Sequence, residues 1–406
     1  MALVVQKYGG SSVADADKIK NVARRIAATR DKDNDVVVTV SAMGDTTDDL
    51  LELVAQVTSH PSPREVDALL STGEQQSMAL LTMAIQHMGY PAISLTGVQA
   101  GIKTDTAHRR ARILQIDPKR IRRELEKDNI VIVAGFQGIS EGEDITTLGR
   151  GGSDTTAVAL AGSLEAEVCQ IYTDVEGVYT ADPRIVPEAR RLDEIGYDEM
   201  LELAVQGAKV MHPRAVEVGE LFNIPILVAS SFTDSPGTLI HGGVSMEVRN
   251  KVRGIAHDLD VAKVTVVGVP DRPGIAAAIF EPLAAANISV DTIVQNASID
   301  NITDLTFTVS RGQLEEVMEV IKPITQEIGA RECVSDATLG KVSIVGTGMQ
   351  NMPGFAARMF SALSEKGINI QLIATSEIRI TCIIDEAKVK DAVRALHRAF
   401  ELDVGD

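Results

Sequence analysis

The stretch LVVQKYGGSS (Leu3–Ser12) runs from a short apolar segment through a lysine into two glycines and two serines. Runs rich in β-branched residues that end in turn formers recur along residues 1–243, and they are typical of parallel strands buried on both faces. They are VVVTVSA (Val36–Ala42), IVIVAGF (Ile130–Phe136), VCQIYTD (Val168–Asp174) and IPILVASSF (Ile224–Phe232). Between them lie helical patterns, such as Ile19, Val22 and Ile26 on one face. The alternation predicts an α/β domain with a mainly parallel sheet and functional loops at the carboxyl ends of the strands.

The composition and net charge of the chain limit which partners and which cellular compartment are expected for it. The chain has 406 residues, of which 45% are apolar and 3% aromatic, enough for two or three folded domains. Its formal net charge of −18 repels nucleic-acid backbones and anionic lipid, so neither is predicted as a partner. The cysteines Cys169, Cys333 and Cys382 lie far apart and lack metal-ligand spacing. Reduced thiols, with no signal-peptide pattern and no long apolar run in the sequence, predict a cytoplasmic protein.

A sequence repeat fills the C-terminal part of the chain. VTVVGVPDRPG begins at Val264 and VSIVGTGMQNMPG at Val342, and each is followed by a helical pattern, an Asn-containing turn and a second strand. The simplest interpretation is two βαββαβ-like modules, at residues 264–335 and 336–406. A linker is predicted at residues 244–263.

Lys7, Gly9 and Gly10 form the first candidate phosphate site. Glycines allow close approach of the backbone, the following helix offers unpaired N–H groups to an anion, and Lys7 adds positive charge. The order differs from that of a P-loop, in which the lysine follows the glycines. The alternative is a tight strand-to-helix turn with a surface lysine, and Ser12 with Asp15 resembles a capping box for that helix.

The segment ITTLGRGGSDTTA (Ile145–Ala157) is the second candidate. Arg150 stands beside a glycine pair, and an arginine fork binds a carboxylate in bidentate fashion. Asp154, near the start of the predicted helix, either caps that helix or orients a lysine over a phosphate, and both roles are compatible.

Four further segments combine turn formers with charged or hydroxyl side chains. Glu74 in STGEQ lies at a predicted helix start, where it complements the helix dipole or pairs with an ammonium group. His212 precedes Pro213, which favours a structural turn over acid–base chemistry. The remaining candidates, which a surface-loop role would also explain, are Ser41 and Thr47 in SAMGDTTDDL, Thr173, Asp174, Tyr179, Asp182 and Arg184 in YTDVEGVYTADPRI, and Lys209 in VQGAKVMHPRA. The sequence shows no zinc-ligand spacing and no Ser–His–Asp pattern, which favours catalysis by charge.

Taken in order, KYGGSS, SAMGDTT, STGEQ, GRGGSD, TDVEGVYTADPR and KVMHPRA resemble the segments of the aspartate kinases (aspartokinases) of the amino acid kinase family. The C-terminal repeat resembles the tandem ACT modules of that family. The resemblance implies an amino acid kinase fold, a mainly parallel sheet sandwiched by helices, over residues 1–243. Two ferredoxin-like βαββαβ ACT modules are implied after it. A monofunctional form is expected, because the sequence contains no dehydrogenase domain.

The resemblance implies phosphoryl transfer from Mg-ATP to the side-chain carboxylate of L-aspartate, the first step toward lysine, threonine, methionine and diaminopimelate. A carboxylate nucleophile is already ionised, so alignment and charge neutralisation suffice. By resemblance Lys7 and Asp154 are catalytic, and no metal ligands are implied among the side chains. The ATP-binding residues would be Lys7, Gly9, Gly10, Ser41, Thr173, Asp174, Tyr179, Asp182, Arg184 and Lys209. The aspartate-binding residues would be Thr47, Glu74, Arg150, Gly151, Gly152 and Ser153.

The ACT modules imply inhibition by lysine, threonine or both, and a homo-oligomer formed through these modules. The candidate effector residues, which turns and strand edges would also explain, are Asp271, Asp291, Gln295 and Asn296 in the first copy and Asn369, Ile370, Thr375 and Ser376 in the second. Met246 is either an internal start for an ACT-only subunit or a chance methionine. Two alternatives to an aspartate kinase stay open: an enzyme of the same fold with another acceptor, and an amino-acid-sensing binding protein.

Overall fold

A computed structural model describes residues 2–243, 252–296, 301–349 and 353–404. The chain divides into two compact units. The first contains the chain up to residue 243, apart from residues 180–190 and 206–208. Those two segments belong to the second unit, together with the chain from residue 252 onward. Met246 lies outside the described residues.

The first unit alternates strands and helices, as the sequence predicts. Its strands are β1 (Leu3–Tyr8), β2 (Asp35–Val40), β3 (Ala92–Leu95), β4 (Ile102–Thr104), β5 (Ile113–Ile116), β6 (Ile130–Ala134), β7 (Gln137–Ser140), β8 (Ile145–Thr147), β9 (Val168–Thr173), β10 (Glu194–Ile195), β11 (Ile226–Ser230) and β12 (Thr238–Ile240). Its helices are α1 (Ala16–Arg30), α2 (Thr46–Val57), α3 (Pro63–His87), α4 (Lys119–Leu125), α5 (Gly152–Leu164), α6 (Tyr197–Val205) and α7 (Pro213–Phe222).

Eight of these strands form one sheet in the order β10-β12-β11-β9-β1-β2-β6-β3. The pairs β11–β9, β9–β1, β1–β2, β2–β6 and β6–β3 are all parallel, whereas β12 runs antiparallel to β11. The mainly parallel α/β sheet is therefore confirmed. Because parallel strands end at the same edge, the chain segments that follow β1, β2, β6, β9 and β11 meet there. A separate four-stranded sheet has the order β5-β4-β7-β8.

Apolar β-branched side chains cover both faces of the large sheet. Val36, Val38 and Val40 pack in one buried cluster with residues of α1 and α3. Val37 is also fully buried, and alternation along a strand directs its side chain to the opposite face. Helix α5 contacts β1, β2 and β9. This burial on both faces explains why the strands read as continuous apolar runs rather than as alternating patterns.

The start of α1 differs from the predicted capping box. Residues Gly10–Val13 form a short 3₁₀ turn, and the N-cap of α1 is Asp15, whose side chain accepts a hydrogen bond from the amide of Lys18. Ser12 is buried and donates to the hydroxyl of Ser231 at 2.8 Å instead. The tight turn after the glycine pair delays the helix, and the next Asp takes over the capping role.

The second unit contains the sequence repeat. Its strands are β13 (Gly254–Pro270), β14 (Ile293–Gln295), β15 (Ile302–Val309), β16 (Glu332–Val345), β17 (Leu372–Thr375) and β18 (Arg379–Asp385). Its helices are α8 (Ile275–Ala285), α9 (Leu314–Glu327), α10 (Phe355–Glu365) and α11 (Val389–Ala399). The strands form one sheet in the order β14-β15-β13-β16-β18-β17. None of the helices in the described residues of either unit is long and apolar enough to cross a membrane.

The two modules are interlocked rather than consecutive. Strands β13 and β16 are long and antiparallel, and residues 263–267 of β13 pair with residues 332–336 of β16 in the first module. Residues 254–258 pair with residues 341–345, which belong to the second module. The prediction that 244–263 is a linker is therefore wrong for residues 254–263, which are strand. In the described chain no strand follows α11, and residues 254–258 occupy the place of the second module's fourth strand.

Two segments from the kinase part of the sequence pack inside the second unit. Ala181, Ile185 and Val186 belong to the apolar cluster that also contains Val342 and Leu396. Two hydrogen bonds support this packing: Thr180 Oγ1 lies 2.9 Å from His397 Nε2, and Ser343 Oγ donates to Gln206 Oε1 at 3.1 Å. Residues 180–190 and 206–208 are thus part of this unit's core.

Candidate active site

A cleft of about 600 Å³ opens at the carboxyl edge of the large sheet in the first unit. Lys7 reaches it from the end of β1 and Ser41 from the end of β2, and Glu74 enters from α3. The loop before α5 supplies the remaining wall, with Arg150 at its centre. The strand ends and one helix start therefore converge on a single space.

Lys7 and Asp154 form the central ion pair of this cleft. Lys7 Nζ lies 2.7 Å from Asp154 Oδ1, and the two side chains are only 11% and 15% exposed. Asp154 lies in the first turn of α5, where the positive end of the helix dipole favours a carboxylate. Among the described residues, no side chain caps the start of α5, and Asp154 pairs with Lys7 instead. Its role in orienting that lysine over a phosphate stays a prediction.

Two glycines allow the chain to pass close to neighbouring backbone in this region. A Cβ atom on Gly10 would lie 2.8 Å from the carbonyl oxygen of Ala42, closer than real side chains come. The Gly9 amide donates to the carbonyl oxygen of Tyr172 at 3.3 Å, which joins the ends of β1 and β9. The Gly9 N–H is therefore already engaged within the chain, and the part of Gly9 in ATP binding that the resemblance implies stays a prediction.

Glu74 is a buried carboxylate that points into the cleft from the middle of α3, so the prediction that it lies at a helix start is wrong. It is 3% exposed, and its Oε1 accepts a hydrogen bond from the amide of Ala42 at 3.1 Å. Its Oε2 is buried and has no hydrogen-bond partner among the described residues. Burial raises the pKa of Glu74 from 4.5 to about 7. A buried carboxylate oxygen without a hydrogen-bond partner is suited to bind a cationic group of a ligand.

The Arg150 loop depends on glycines with positive φ. Gly149 and Gly151 have φ of 77° and 67°, values that side chains rarely adopt. A Cβ on Gly151 would lie 2.2 Å from the Cβ of His212, so the loop packs tightly against the start of α7. His212 is the N-cap of α7 and its side chain accepts from the amide of Arg214, which gives it the structural role predicted for it. Burial lowers the pKa of His212.

Most residues predicted for catalysis and substrate binding meet in this cleft. Those that line it are Lys7, Gly10, Ser41, Thr47, Glu74, Arg150, Gly151, Gly152, Ser153 and Asp154. The six residues predicted to bind aspartate are all among them. Their roles stay predictions, but their convergence from four separate parts of the sequence is a structural fact.

The remaining predicted nucleotide residues of the first unit lie outside the cleft lining. Thr173 ends β9, beside β1, and its Oγ1 donates to the carboxylate of Asp174 at 3.0 Å. Tyr179 donates to Glu176 at 3.3 Å. Lys209 is exposed in the turn before α7. Of these residues, only Thr173 and Asp174 lie at the carboxyl edge of the large sheet, where the cleft opens.

Asp182 and Arg184 belong to the second unit. Their side chains form an ion pair at 2.8 Å, and the arginine hydrogen bonds lower the pKa of Asp182. Their predicted contact with a nucleotide stays a prediction.

Sequence reasoning missed several residues of the cleft. The additional lining residues are Ala42, Gly44, Asp48, Leu51, Leu70, Arg109, Phe136, Thr147 and Gly149. The most consequential is Arg109, because its sequence context, AHRRARI, contains three arginines and gives no sign of which one faces a ligand. Within the described chain, neither Arg109 nor Arg150 has a side-chain partner.

The described residues contain no group of three or more His, Cys, Asp or Glu side chains that could hold a metal ion. The cleft's carboxylates are Asp48, Glu74 and Asp154, and the last of these is paired with Lys7. Mg²⁺ in such sites is commonly held by substrate phosphates with one or two carboxylates, so this donor set fits a metal that arrives with a nucleotide.

The predicted effector residues lie in the second unit, mostly exposed. Asp291 is paired with Lys341, whose Nζ lies 3.1 Å from its Oδ2. Ile370 differs, because it packs against the apolar cluster of the second module. The other candidates, at turns or strand ends, are Asp271, Gln295, Asn296, Asn369, Thr375 and Ser376. Their part in effector binding stays a prediction.

Family models match three parts of the sequence. The amino acid kinase family model matches residues 2–230, and ACT domain models match residues 263–325 and 342–400. The second ACT match excludes residues 254–258, the strand that completes that module in the structure.

Curated relatives match along the whole chain. An aspartate kinase of Stutzerimonas stutzeri is 52% identical over 405 residues, covering 99% of this chain and 98% of the relative. An aspartokinase of Mycolicibacterium smegmatis is 52% identical over 411 residues, covering 100% and 98%.

Solved structures of aspartate kinases share the fold. E. coli aspartokinase III in complex with aspartate and ADP (R-state) has a TM-score of 0.80 and 25% identity, covering 98% of this chain and 100% of that one. The same enzyme in complex with lysine and aspartate (T-state) has a TM-score of 0.74, 25% identity and coverage of 98% and 99%. Aspartate kinase from Synechocystis has a TM-score of 0.56 and 45% identity, covering 100% of this chain and 70% of that one.

Proposed function

The chain belongs to the aspartate kinases of the amino acid kinase family, and we propose that the cleft of its first unit is where ATP phosphorylates L-aspartate. The observation that carries the proposal is the juxtaposition in one cleft of the Lys7–Asp154 ion pair, the unpartnered Arg150 and the buried Glu74. A chain that only sensed amino acids would not need a buried lysine beside the substrate charges. The product is an acyl phosphate on the side-chain carboxylate.

The cleft fits a reaction that needs no general base. The side-chain carboxylate of aspartate has a pKa of about 3.9, so it is ionised at neutral pH and attacks the γ-phosphorus directly. Negative charge on the moving phosphoryl group then requires a positioned cation. We assign this role to Lys7, and we assign to Asp154 the role of holding the ammonium of Lys7 in place at 2.7 Å.

Substrate recognition uses the charged groups of the cleft that have no partner among the described residues. Arg150 takes one carboxylate of aspartate, and the Oε2 atom of Glu74 takes its ammonium group. Thr47 and Ser153 add hydroxyl groups, and Gly151 and Gly152 let the backbone approach the substrate. This assignment follows from charge complementarity between the cleft and a zwitterionic amino acid.

The nucleotide is the second substrate, and E. coli aspartokinase III binds ADP in its solved complex. We propose that Mg²⁺ enters as Mg-ATP, coordinated by phosphate oxygens, because the residues that the structure describes contain no group of three or more side chains that could hold a metal ion. Bound magnesium neutralises phosphate charge. We propose that Gly10 and Lys7 face the phosphates and that Ser41, Thr173, Asp174, Tyr179 and Lys209 surround the rest of the nucleotide, with Gly9 contributing close backbone packing rather than a free N–H.

Regulation is assigned to the ACT modules. E. coli aspartokinase III binds lysine in its T-state complex, and we propose lysine, threonine or both as inhibitors here. Asp291 is a candidate for the effector ammonium, but its Oδ2 already accepts from Lys341 at 3.1 Å. An effector therefore has to share or displace that contact.

We also propose a homo-oligomer through the ACT modules, in the cytoplasm, where free thiols such as those of Cys169 and Cys382 persist. An additional ACT-only subunit starting at Met246 is a separate possibility for the assembly. Two polypeptides from one gene on a denaturing gel would support it, and a single band, unchanged by Met246→Leu, would exclude it.

The test is a panel of acceptors with purified protein and Mg-ATP. Aspartate, glutamate, carbamate and a nucleoside monophosphate are compared by ADP release, with and without lysine plus threonine. We expect ADP release with aspartate only, suppressed by the effector pair. Release with another acceptor would change the substrate, and effector binding without any turnover would make the protein a sensor.

A further inference from the structure

Asp67 is a fully buried carboxylate next to the cleft that the proposed reaction does not use. It lies on α3 and is 0% exposed. Thr147 Oγ1 donates to its Oδ1 at 2.6 Å, and the amide of Arg109 donates to both oxygens at 3.1 Å. Nδ1 of His108 lies 2.7 Å from its Oδ2. One carboxylate thus ties the loop between β4 and β5 to the end of β8.

Arg214 ties the same two loops together from a different element. It lies in the first turn of α7, and its guanidinium donates to the carbonyl oxygens of Leu148 at 2.7 Å and Ala111 at 3.0 Å. The amide of Ala111 also donates to the carbonyl of Thr147 at 2.9 Å. The loop that carries Arg109 and the loop that carries Arg150 are therefore fixed to each other by two buried or half-buried charged side chains.

The conformation of Arg109 needs this support. Its φ is 68°, in the left-handed region that residues other than glycine rarely occupy. The hydrogen bond from its amide to Asp67 holds that conformation, and its side chain lines the cleft. Such strain at a residue that faces a cleft commonly accompanies function.

The charges of the cleft can be counted against those of aspartate. In the described part of the chain, the guanidinium groups of Arg109 and Arg150 are the cations of the lining that have no partner. Its buried carboxylate oxygen without a partner is Oε2 of Glu74, because Asp154 Oδ1 is paired with Lys7 and Asp48 is exposed to solvent. L-Aspartate carries two carboxylates and one ammonium group. Each charged group of aspartate finds an oppositely charged partner in the cleft only if Arg109 is included, because Lys7 is already paired with Asp154.

We propose that Arg109 is a second substrate-binding residue of the cleft, which contacts the side-chain carboxylate of aspartate while Arg150 holds the other carboxylate. Asp67 is its positioning residue. This inference rests on the proposed function, since it names a further contact to the same substrate. It explains why one loop residue is held in a strained conformation by a buried carboxylate.

The test compares Arg109→Ala with Arg110→Ala, because Arg110 is exposed like Arg109 but does not line the cleft. Loss of a charge-assisted hydrogen bond should raise the KM for aspartate about 10- to 100-fold in Arg109→Ala, with the KM for ATP unchanged. Arg109→Lys should recover part of the loss. L-Asparagine, which lacks the side-chain carboxylate, should compete equally well against the wild type and Arg109→Ala.

The positioning role of Asp67 is tested by a double-mutant cycle. Asp67→Asn should raise the KM for aspartate in the wild-type background and add little in the Arg109→Ala background, because both changes remove the same contact. Thermal unfolding and the KM for ATP show whether each variant is folded. Additive effects of the two changes would contradict the positioning role.

The outcomes separate this inference from the proposed function. If the wild type shows no aspartate-dependent ADP release, the proposed function fails. If the wild type is active and Arg109→Ala has an unchanged KM for aspartate, or weakens asparagine as much as aspartate, the role of Arg109 is overturned while the function stands.

Discussion

In the part of the chain that the structure describes, each unit contains a lysine–aspartate pair whose lysine is nearly buried, and the two pairs differ in what surrounds them. Lys7 lies 2.7 Å from Asp154, with side-chain exposures of 11% and 15%. Lys341 lies 3.1 Å from Asp291, with exposures of 8% and 37%, and its Nζ is also 3.9 Å from Asp258. The two lysines are similarly buried, whereas Asp291 is more exposed than Asp154.

The difference lies in the space and charges beside each pair. Lys7 and Asp154 line a cleft of about 600 Å³ that also holds unpartnered charges. Lys341 is a residue of β16 that joins carboxylates from β13 and from the chain before β14. A buried ion pair therefore does not reveal its role by itself. We infer catalysis for the first pair and bracing of the interlocked sheet for the second.

Replacement of Lys7 should lower kcat, whereas replacement of Lys341 should leave kcat almost unchanged. This difference is the largest effect that we expect. Lys7→Ala should lower kcat roughly 10²- to 10³-fold, because one positioned donor to the transition-state charge is lost. Lys341→Met, assayed without effector, should keep kcat within about twofold, because its pair lies in the second unit and contacts no reacting group. Steady-state ADP release measures both. Similar losses of kcat in the two variants would abolish the distinction.

Glu74 should affect substrate binding rather than turnover. Glu74→Gln keeps the acceptor for the Ala42 amide but removes the charge that pairs with the substrate ammonium. The KM for aspartate should rise about 10- to 100-fold, with the KM for ATP unchanged. Glu126→Gln, an exposed carboxylate of the same unit, is the charge-matched control. A fall in kcat at saturating aspartate, without a change in KM, would point to a different role.

The pH dependence of aspartate binding should follow Glu74. Burial raises its pKa to about 7, so the protonated form predominates below that pH and cannot pair with an ammonium group. The value of kcat/KM for aspartate should fall about tenfold per pH unit below 7. In Glu74→Gln this slope should disappear, and a slope that persists there would assign it to another group.

The ionisation of Glu74 favours aspartate binding but disfavours the folded state. The folded pKa of Glu74 lies above the value of 4.5 that the unfolded chain would have. The fold therefore favours the neutral form, and its contribution to stability is greatest below pH 4.5 and is lost as the pH rises through about 7. The substrate site thus carries a charge that the fold alone does not favour.

Replacement of Lys341 should lower the stability of the fold and change the response to the effector. These are the smallest effects that we predict. Lys341→Met should lower the free energy of unfolding by about 1–2 kcal/mol, less than a fully buried pair would cost, because Asp291 is partly exposed and can be hydrated. If Asp291 binds the effector ammonium, the freed carboxylate should lower the lysine concentration for half-inhibition a few-fold. Denaturant unfolding and inhibition curves measure the two effects. An unchanged half-inhibition concentration would remove Asp291 from the effector site.

Local sequence predicted the strands of the first unit and the two modules of the second, but not the pairings between distant segments of the second. The strand before Lys7 and the buried run at Val36–Ala42 were predicted because continuous β-branched segments leave a local signal. The pairing of residues 254–258 was not predicted, because their partners, residues 341–345, lie 83 to 91 positions further along and the repeat does not include residues 254–258. The packing of residues 180–190 in the second unit likewise depends on distant side chains such as His397.

In the candidate site too, local sequence predicted some residues and missed others. Lys7, Glu74 and Arg150 stand in motifs whose residue types suggest their chemistry, and the structure brings them into one cleft. Arg109 and Asp67 escaped prediction, since the role of each depends on the other across 42 positions of sequence. A left-handed arginine held by a buried carboxylate becomes visible only when the loop and α3 are seen together.

The most direct test of this account is a structure of the chain with L-aspartate and a non-hydrolysable ATP analogue with Mg²⁺. We predict that the substrate ammonium lies at Glu74 Oε2, that one carboxylate lies on Arg150 and the other on Arg109, and that the γ-phosphate lies against Lys7. Aspartate bound away from this cleft, or bound there with the ammonium facing solvent and Glu74 still unpartnered, would contradict it.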